Sequence, residues 1–309
     1  MKATAAAHAN IALVKYWGKR DDALVLPEAG SLSVALDKLL TTTTVALGDF
    51  DADSFTLDGR PEDPGRARAL LDAAGIRERA RIDSRNEFPT AAGLASSASG
   101  FAALAVAACA AAGLRKSVEE LSALARLGSG SAARSVPGGW AVWERESARQ
   151  AFPPSHWELR FCIAICAAGT KPIGSRDGMR ATRETSPYHA AWIDQCRRDL
   201  PGALRLLQAR DLSGLGALAE RNAMRMHADA LAADPPLLYW QPATVACLLA
   251  LRELRASGVE AWATIDAGPH VVAISALADA APVEARLRRV PGVTDVLVCA
   301  PAGAARVLP

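Results

Sequence analysis

The stretch P-T-A-A-G-L-A-S-S-A-S-G, Pro89 to Gly100, decides the fold because it leads into a strongly helical segment. An alanine-rich run from Ser97 to Ala112 halts at Gly113, the pattern of a helix closed by a residue free to take positive φ. A helix N-terminus offers unpaired N–H groups and the positive end of a dipole, and small side chains let an anion approach that backbone. Ser96 and Ser97 add hydroxyls, one of which can also ligate a magnesium ion between phosphates, with Ser97 the first candidate. No Gly-Lys-Ser or Gly-Lys-Thr comes after it, so this is not a Walker A loop, and G-x-G-x-x-G is absent from it. By composition alone, a helix cap that holds nothing fits equally well.

Upstream, small and β-branched residues predict strands over Thr4 to Val14 and Thr41 to Asp49, and Asp53 to Gly59 closes on an Asp-Gly turn. Helical spacing runs from Pro64 to Ala74, and Ala80 to Pro89 reads as a strand entering a loop. Downstream, Val118 to Arg126 is a helix with Ser117 as N-cap and Glu120 as the acid of a capping box. Gly128 to Gly139 is an ordered loop or a loop-to-helix turn, and Ala151 to Glu158 is the expected inter-domain linker. Leu159 to Gly169 is a buried strand, followed by helices over Ala190 to Asp199, Pro201 to Ala209, Leu212 to Ala233 and Thr244 to Ser257. Two strands, Ala261 to Gly268 and His270 to Ala276, are expected to close the chain. Strands and helices mix without regular alternation, which predicts an α+β protein of two lobes.

The 309 residues are 50% hydrophobic and 22% charged, enough apolar material to build a core rather than a disordered chain. A net charge of +2 without a dense basic run argues against a nucleic-acid binder. The six cysteines form no CxxC pair and sit among aliphatic residues, the pattern of reduced, buried thiols in a cytoplasmic protein. Asn10, Lys15 and Lys19 interrupt any leader-like apolar region, and the run Phe101 to Leu114 is too short to span a membrane, so no membrane association is expected.

Three places in the chain hold residues whose type needs explaining. Asp266 ends an apolar strand in Ile265-Asp266-Ala267-Gly268, where an acid requires either a partner or the role of capping the turn before glycine. Arg134 lies in the glycine- and serine-rich loop between Ser131 and Ser135, where it is a solvated side chain or a two-pronged carboxylate holder. Lys15, Trp17 and Lys19 would share one face of an extended segment, with Tyr16 opposite unless the strand has ended.

Pro89, Gly93, Leu94, Ser96, Ser97 and Ala98 fit P-x-x-x-G-L-x-S-S-A, which resembles the phosphate loop of the GHMP kinase superfamily. The blocks Ala9 to Leu36, Phe88 to Ala105, Gly128 to Gly139, Gly178 to Pro187 and Thr264 to His270 are similar, in order, to those of the diphosphomevalonate decarboxylases. The resemblance spans nearly the whole chain. It implies a ribosomal-S5-like N-terminal lobe and a ferredoxin-like C-terminal lobe, divided here as 1–155 and 156–309, with a cleft between them, in a homodimer. It implies ATP and Mg²⁺ as cofactors and a reaction in which ATP phosphorylates the 3-hydroxyl of mevalonate 5-diphosphate before phosphate and CO₂ leave. On the same resemblance Asp266, Lys15 and Arg134 are catalytic, and Asn10, Tyr16, Lys19, Ser129, Ser131 and Arg183 contact substrate, with Arg180 as the alternative to Arg183. Pro89, Ala92, Gly93, Leu94, Ala95, Ser96 and Ser97 contact ATP.

The chain departs from that family at Glu28-Ala29-Gly30, where many members have Ile-Asn-Ser, and at His270, where many have Asn. Two other readings therefore stay open. A mevalonate 5-phosphate decarboxylase or a mevalonate 3-kinase keeps the fold and shifts the substrate; a nucleotide-binding regulator keeps the fold without catalysis.

Overall fold

The computed structural model describes residues 1–88, 96–166 and 173–309. The first lobe contains β1 (Lys2–Val14), β2 (Lys19–Asp21), β3 (Leu26–Pro27), β4 (Ser31–Gly48), β5 (Ser54–Leu57), β6 (Arg60–Glu62) and α1 (Gly65–Ala73). It continues with β7 (Arg79–Asn86), α2 (Ser96–Ala111), α3 (Val118–Gly128), α4 (Ala132–Ser135), β8 (Trp140–Trp143) and β9 (Ala148–Phe152). The second holds β10 (Leu159–Cys166), α5 (Ser175–Thr185), α6 (His189–Ala209), α7 (Leu212–Leu231), α8 (Pro242–Ala256), β11 (Ala261–Thr264), β12 (Val271–Ala276), α9 (Ala280–Arg288) and β13 (Val293–Cys299). A last short strand, β14 (Arg306–Val307), ends the order.

The threonine run lies in the far half of β4, whose burial alternates residue by residue from Leu39 onward. Its buried hydroxyls are used: Thr43 pairs with Ser84 at 2.8 Å, and Thr41 meets Ser99 at 2.6 Å, fixing the first turn of α2 onto the sheet. That sheet runs β14-β1-β4-β7-β5-β6, with β8 on the other half of β4 and β9 on β8. Alanines let α2 lie against β1 and β4 while α1 and α3 cover its other side; it is buried on almost every face, so it has no polar stripe. The second lobe is an antiparallel sheet ordered β11-β12-β10-β13, backed by α8 and α9 on one side and α6 and α7 on the other. No helix of the described residues is long and apolar enough to cross a membrane, and all six cysteines are buried and free.

The pairing of β1 with β4 jumps between His8↔Leu40 and Asn10↔Ala35, so β4 bulges over residues 36–39. The segment after β13 fills this irregularity: Ala302 donates to the Ala35 carbonyl at 2.8 Å, and Gly139 donates to Ala302 at 2.8 Å. Gly138 (φ 58°) must be glycine here, because a Cβ would collide with the Gly303 carbonyl. β14 then pairs with β1, Ala5 opposite Val307.

Three expectations are corrected, and the expected linker is found to be ordered. The two helices expected around Pro201 are one, α6, because the ring sits on the exposed face, where water can take the freed carbonyl. The chain does not close on β11 and β12, since α9, β13 and β14 come after them. The proposed linker begins inside β9 and continues as a 3-10 turn over Pro154–His156; the stacking of His156 on Phe152 (4.2 Å) and its bond to the Leu207 carbonyl (2.9 Å) fix it in place. The strand before Asp266 stops at Thr264, because residues 265–268 turn, with Gly268 donating to the Asp266 carbonyl at 2.7 Å.

Candidate active site

β1 ends at Val14, and the strand pattern ends with it. Residues 15–18 are therefore free of the period-two rule, and Lys15, Tyr16, Trp17 and Lys19 all border one cavity of about 420 Å³ between the lobes. Asn10, Ser97, Ser129, Ser131, Arg134 and Asp266 border it as well. Ser96 and Arg183 are not among its lining residues, and Pro89, Ala92, Gly93, Leu94 and Ala95 lie outside the described residues.

At the floor, the Lys15 ammonium donates to Asp266 Oδ1 at 2.5 Å and to the Ala12 carbonyl at 2.8 Å. Burial pushes the lysine pKa down, and the carboxylate beside it pulls the other way. Asp266 is 36% exposed while Lys15 is 1% exposed, so the carboxylate meets the cavity and the ammonium braces it from behind. Asn222 of α7 accepts the Lys15 backbone N–H at 2.8 Å and donates to Asp199 of α6 at 2.9 Å. Below Asp266 lies His227, which burial and the nearby Lys15 charge hold neutral, with a pKa lowered to about 4.

Arg134 is carried inward by α4, a single turn that the glycine- and serine-rich loop makes between α3 and β8. It is 3% exposed; its Nε donates to Asn10 Oδ1 at 3.2 Å and its Nη1 to Ser31 Oγ at 2.8 Å. Asn10 is held in turn by donating to the Ser131 carbonyl (3.0 Å) and Ser135 Oγ (2.8 Å). Among the described residues no acid lies in ion-pair range of Arg134, and burial lowers its pKa to about 10. A buried guanidinium with two neutral acceptors retains donors and a full charge for an anion.

Ser97, on the first turn of α2, stands 3.2 Å from Ser129 Oγ, which is 3.3 Å from Ser131 Oγ. Lys19 is buried and pairs with Asp22 at 3.1 Å. Arg183 buttresses that pair, donating to the Lys19 carbonyl at 2.7 Å and to Asp22 at 2.8 Å. His270 is turned away; its Nδ1 accepts the Cys166 N–H at 3.1 Å.

Several contributors escaped the sequence reading. Arg66 of α1, stacked on Phe101 at 4.6 Å, and Arg176 of α5 border the cavity from opposite lobes. Asn222 and Asp229 did leave a signal: both interrupt the apolar stripe Leu215, Leu218, Ala219, Ala223, Met226 and Ala230 of α7, where a polar residue needs a partner. Nothing local marked Arg66.

Comparison with known proteins gives two family matches: the diphosphomevalonate decarboxylase-like N-terminal domain over residues 7–152 and the mevalonate 5-diphosphate decarboxylase C-terminal domain over 161–297. The human diphosphomevalonate decarboxylase is 38% identical over 306 residues, covering 87% of this chain and 75% of that protein. The Aspergillus fumigatus protein of the same description is 38% identical over 88% of this chain and 76% of its own. Among solved structures, the Staphylococcus aureus mevalonate diphosphate decarboxylase superposes with a TM-score of 0.93 at 34% identity, covering 100% of this chain and 98% of that one. A 35% identical chain solved with MVAPP, AMPPCP and magnesium gives a TM-score of 0.94, covering 100% and 99%.

Proposed function

Since this chain belongs to the diphosphomevalonate decarboxylase family, we infer that its cavity carries out ATP-dependent decarboxylation of mevalonate 5-diphosphate to isopentenyl diphosphate, releasing ADP, phosphate and CO₂. The fold is the two-lobed α+β GHMP kinase fold, with a ribosomal-S5-like first lobe and a ferredoxin-like second. ATP and Mg²⁺ are its cofactors. The observation that carries the reading is Arg134, a buried cation that no acid among the described residues pairs with directly, beside the Lys15–Asp266 pair.

The residues divide the work by charge. Asp266, paired with Lys15, faces the cavity to orient the 3-hydroxyl and receive its proton as the phosphoryl group arrives. Arg134 grips the substrate carboxylate through its free donors, with Asn10 and Ser31 fixing the plane of the guanidinium. Once the 3-phosphate departs, the C–C bond to that carboxylate breaks and its electron pair forms the double bond, with CO₂ leaving. Lys19, Tyr16, Ser129 and Ser131 form the diphosphate side, and Arg183 acts on it by orienting Lys19 and Asp22. Ser96, Ser97 and the stretch Pro89, Ala92, Gly93, Leu94 and Ala95 take the nucleotide phosphates, with Arg66 and Arg176 at the same opening. The hydroxyls of Ser97 and Ser129, hard oxygens 3.2 Å apart, fit a magnesium ion, which when bound neutralises phosphate charge.

The division into an ATP-binding domain over 1–155 and a second domain over 156–309 belongs to the same proposal, supported by the family matches to 7–152 and 161–297. A cytoplasmic location, supported by six buried free cysteines, and a homodimer complete it. The test is a product assay with ATP and Mg²⁺ that measures ADP and CO₂ separately on mevalonate 5-diphosphate and mevalonate 5-phosphate. Both products from the diphosphate alone are expected. ADP without CO₂, or preference for the monophosphate, overturns the reading. Light scattering reads the oligomeric state.

A further inference from the structure

The segment Tyr16–Gly18 belongs to no sheet, yet it must hold Tyr16 and Lys19 against the cavity. Its position rests on side chains of the second lobe and on one turn of the first. Trp192 of α6 donates to the Trp17 carbonyl at 2.8 Å, and the Glu28 backbone N–H donates to the Gly18 carbonyl at 3.2 Å. Gly18 (φ 150°) is packed so closely that a Cβ there would lie 3.2 Å from Glu28 Oε2 and 3.3 Å from His189 Cε1.

At this point three ionisable groups meet. His189, the first residue of α6, has its Nδ1 2.9 Å from Asp229 Oδ2 of α7 and its Nε2 3.2 Å from Glu28 Oε2. Side-chain exposure is 8% for His189, 1% for Asp229 and 28% for Glu28. An ionised carboxylate only accepts, so an imidazole with a carboxylate oxygen on each nitrogen must donate from both, which only the imidazolium does. Among the described residues His189 is also the one cation in ion-pair range of Asp229. We propose that His189, as a buried imidazolium bridging Glu28 and Asp229, is a positioning residue that fastens the Tyr16–Lys19 segment to the second lobe and so sets the enzyme's grip on the substrate diphosphate. This rests on the assignment of that segment to the diphosphate side of the substrate.

The groups facing the imidazole are Asp229 from α7 and Glu28 from the turn before β4, and Arg183 of α5 attracts Glu28. Both acids raise the histidine pKa against the opposing effect of burial, which is the largest single influence. The bridge is therefore complete at low pH and opens as pH climbs through that raised value. Asp229 is the more deeply buried acid and has no other cation in ion-pair range among the described residues, so the remaining proton stays with it. Glu28, which reaches solvent, is the partner released.

The experiment compares wild type, Glu28→Gln and His189→Gln. Nitrogen-15 NMR of labelled histidine, assigned with His189→Gln, should show His189 protonated on both nitrogens near neutral pH; a neutral ring there overturns the proposal. Steady-state kinetics on mevalonate 5-diphosphate near pH 6 and near pH 9 should show a KM raised about tenfold in both variants at the lower pH, with kcat much less changed. Lys19, whose pKa burial lowers, adds a pH limb that all three proteins share, so the difference between proteins is what counts. Wild-type KM and pH profile in both variants overturn the proposal. Glu28→Gln keeps the Asp229 pair, so it reports even if His189→Gln does not fold. Hydrogen exchange at 16–19, expected to be faster in Glu28→Gln, needs no turnover: it fails only if the clamp is wrong, whereas an inactive wild type faults the substrate assignment alone.

Discussion

Arg134 and the Lys15–Asp266 pair differ in what burial costs them. Asp266 is answered by an ammonium at 2.5 Å, while Arg134 is answered by an amide and a hydroxyl. Replacing Asp266 by Asn keeps the shape and removes the carboxylate. ADP and CO₂ formation should fall by roughly 10³ or more, while nucleotide affinity, measured by calorimetry, stays within about twofold. Replacing Arg134 by Met should also abolish CO₂ release, yet the thermal midpoint should equal or exceed that of wild type, because a buried charge that no acid among the described residues pairs with directly is removed. A midpoint well below wild type would mean that the arginine is structural. Activity and stability are thus expected to separate at this one residue.

Among the elements, local signals carried as far as local physics reaches. Ser117 and Glu120 form the reciprocal capping box of α3 that their spacing predicts. Ser117→Ala should cost about 1 kcal/mol in urea unfolding, with no change in turnover. The alanine run is helical from Ser96 to Ala111, and the threonine run is a strand. What stayed hidden was non-local. The 18-residue length of β4 comes from pairing one half with β7 and the other with β8, two partners far apart in sequence. α6 runs through Pro201 because the ring meets water rather than core, and periodicity does not tell which face is wet. α5 shows the same limit at the site. Arg176, Arg180 and Arg183 share helical spacing, so spacing alone cannot say which one reaches the cavity. Where α5 docks decides it: Arg176 borders the cavity and Arg183 turns to Asp22. Asn10, Lys15, Arg134 and Asp266 were legible as a group through their motif blocks, since no local rule joins residues so distant in the chain.

Across the whole molecule, two buried histidines pull acid stability in opposite directions. His227 is 2% exposed, with a pKa lowered from 6.5 to about 4, so on acidification the unfolded chain takes up a proton that the folded one refuses. Stability should fall by up to roughly 3 kcal/mol as pH drops through that window. His189, raised, adds stability that is fully present below 6.5 and is lost as pH rises through its folded value. His227→Phe should therefore flatten the loss of urea midpoint between about pH 7 and about pH 5. An unchanged slope would show that the ring is already charged in the fold. The return of β14 to β1 has a consequence for biosynthesis. While the ribosome is still making the second lobe, one edge of the first lobe's sheet and the bulge at 36–39 stand bare, because residues 300–308 have yet to leave the exit tunnel. The first half of this protein is thus finished by the last residues of the second, and a nascent chain stalled before that point should be held by a chaperone rather than rest as a folded domain.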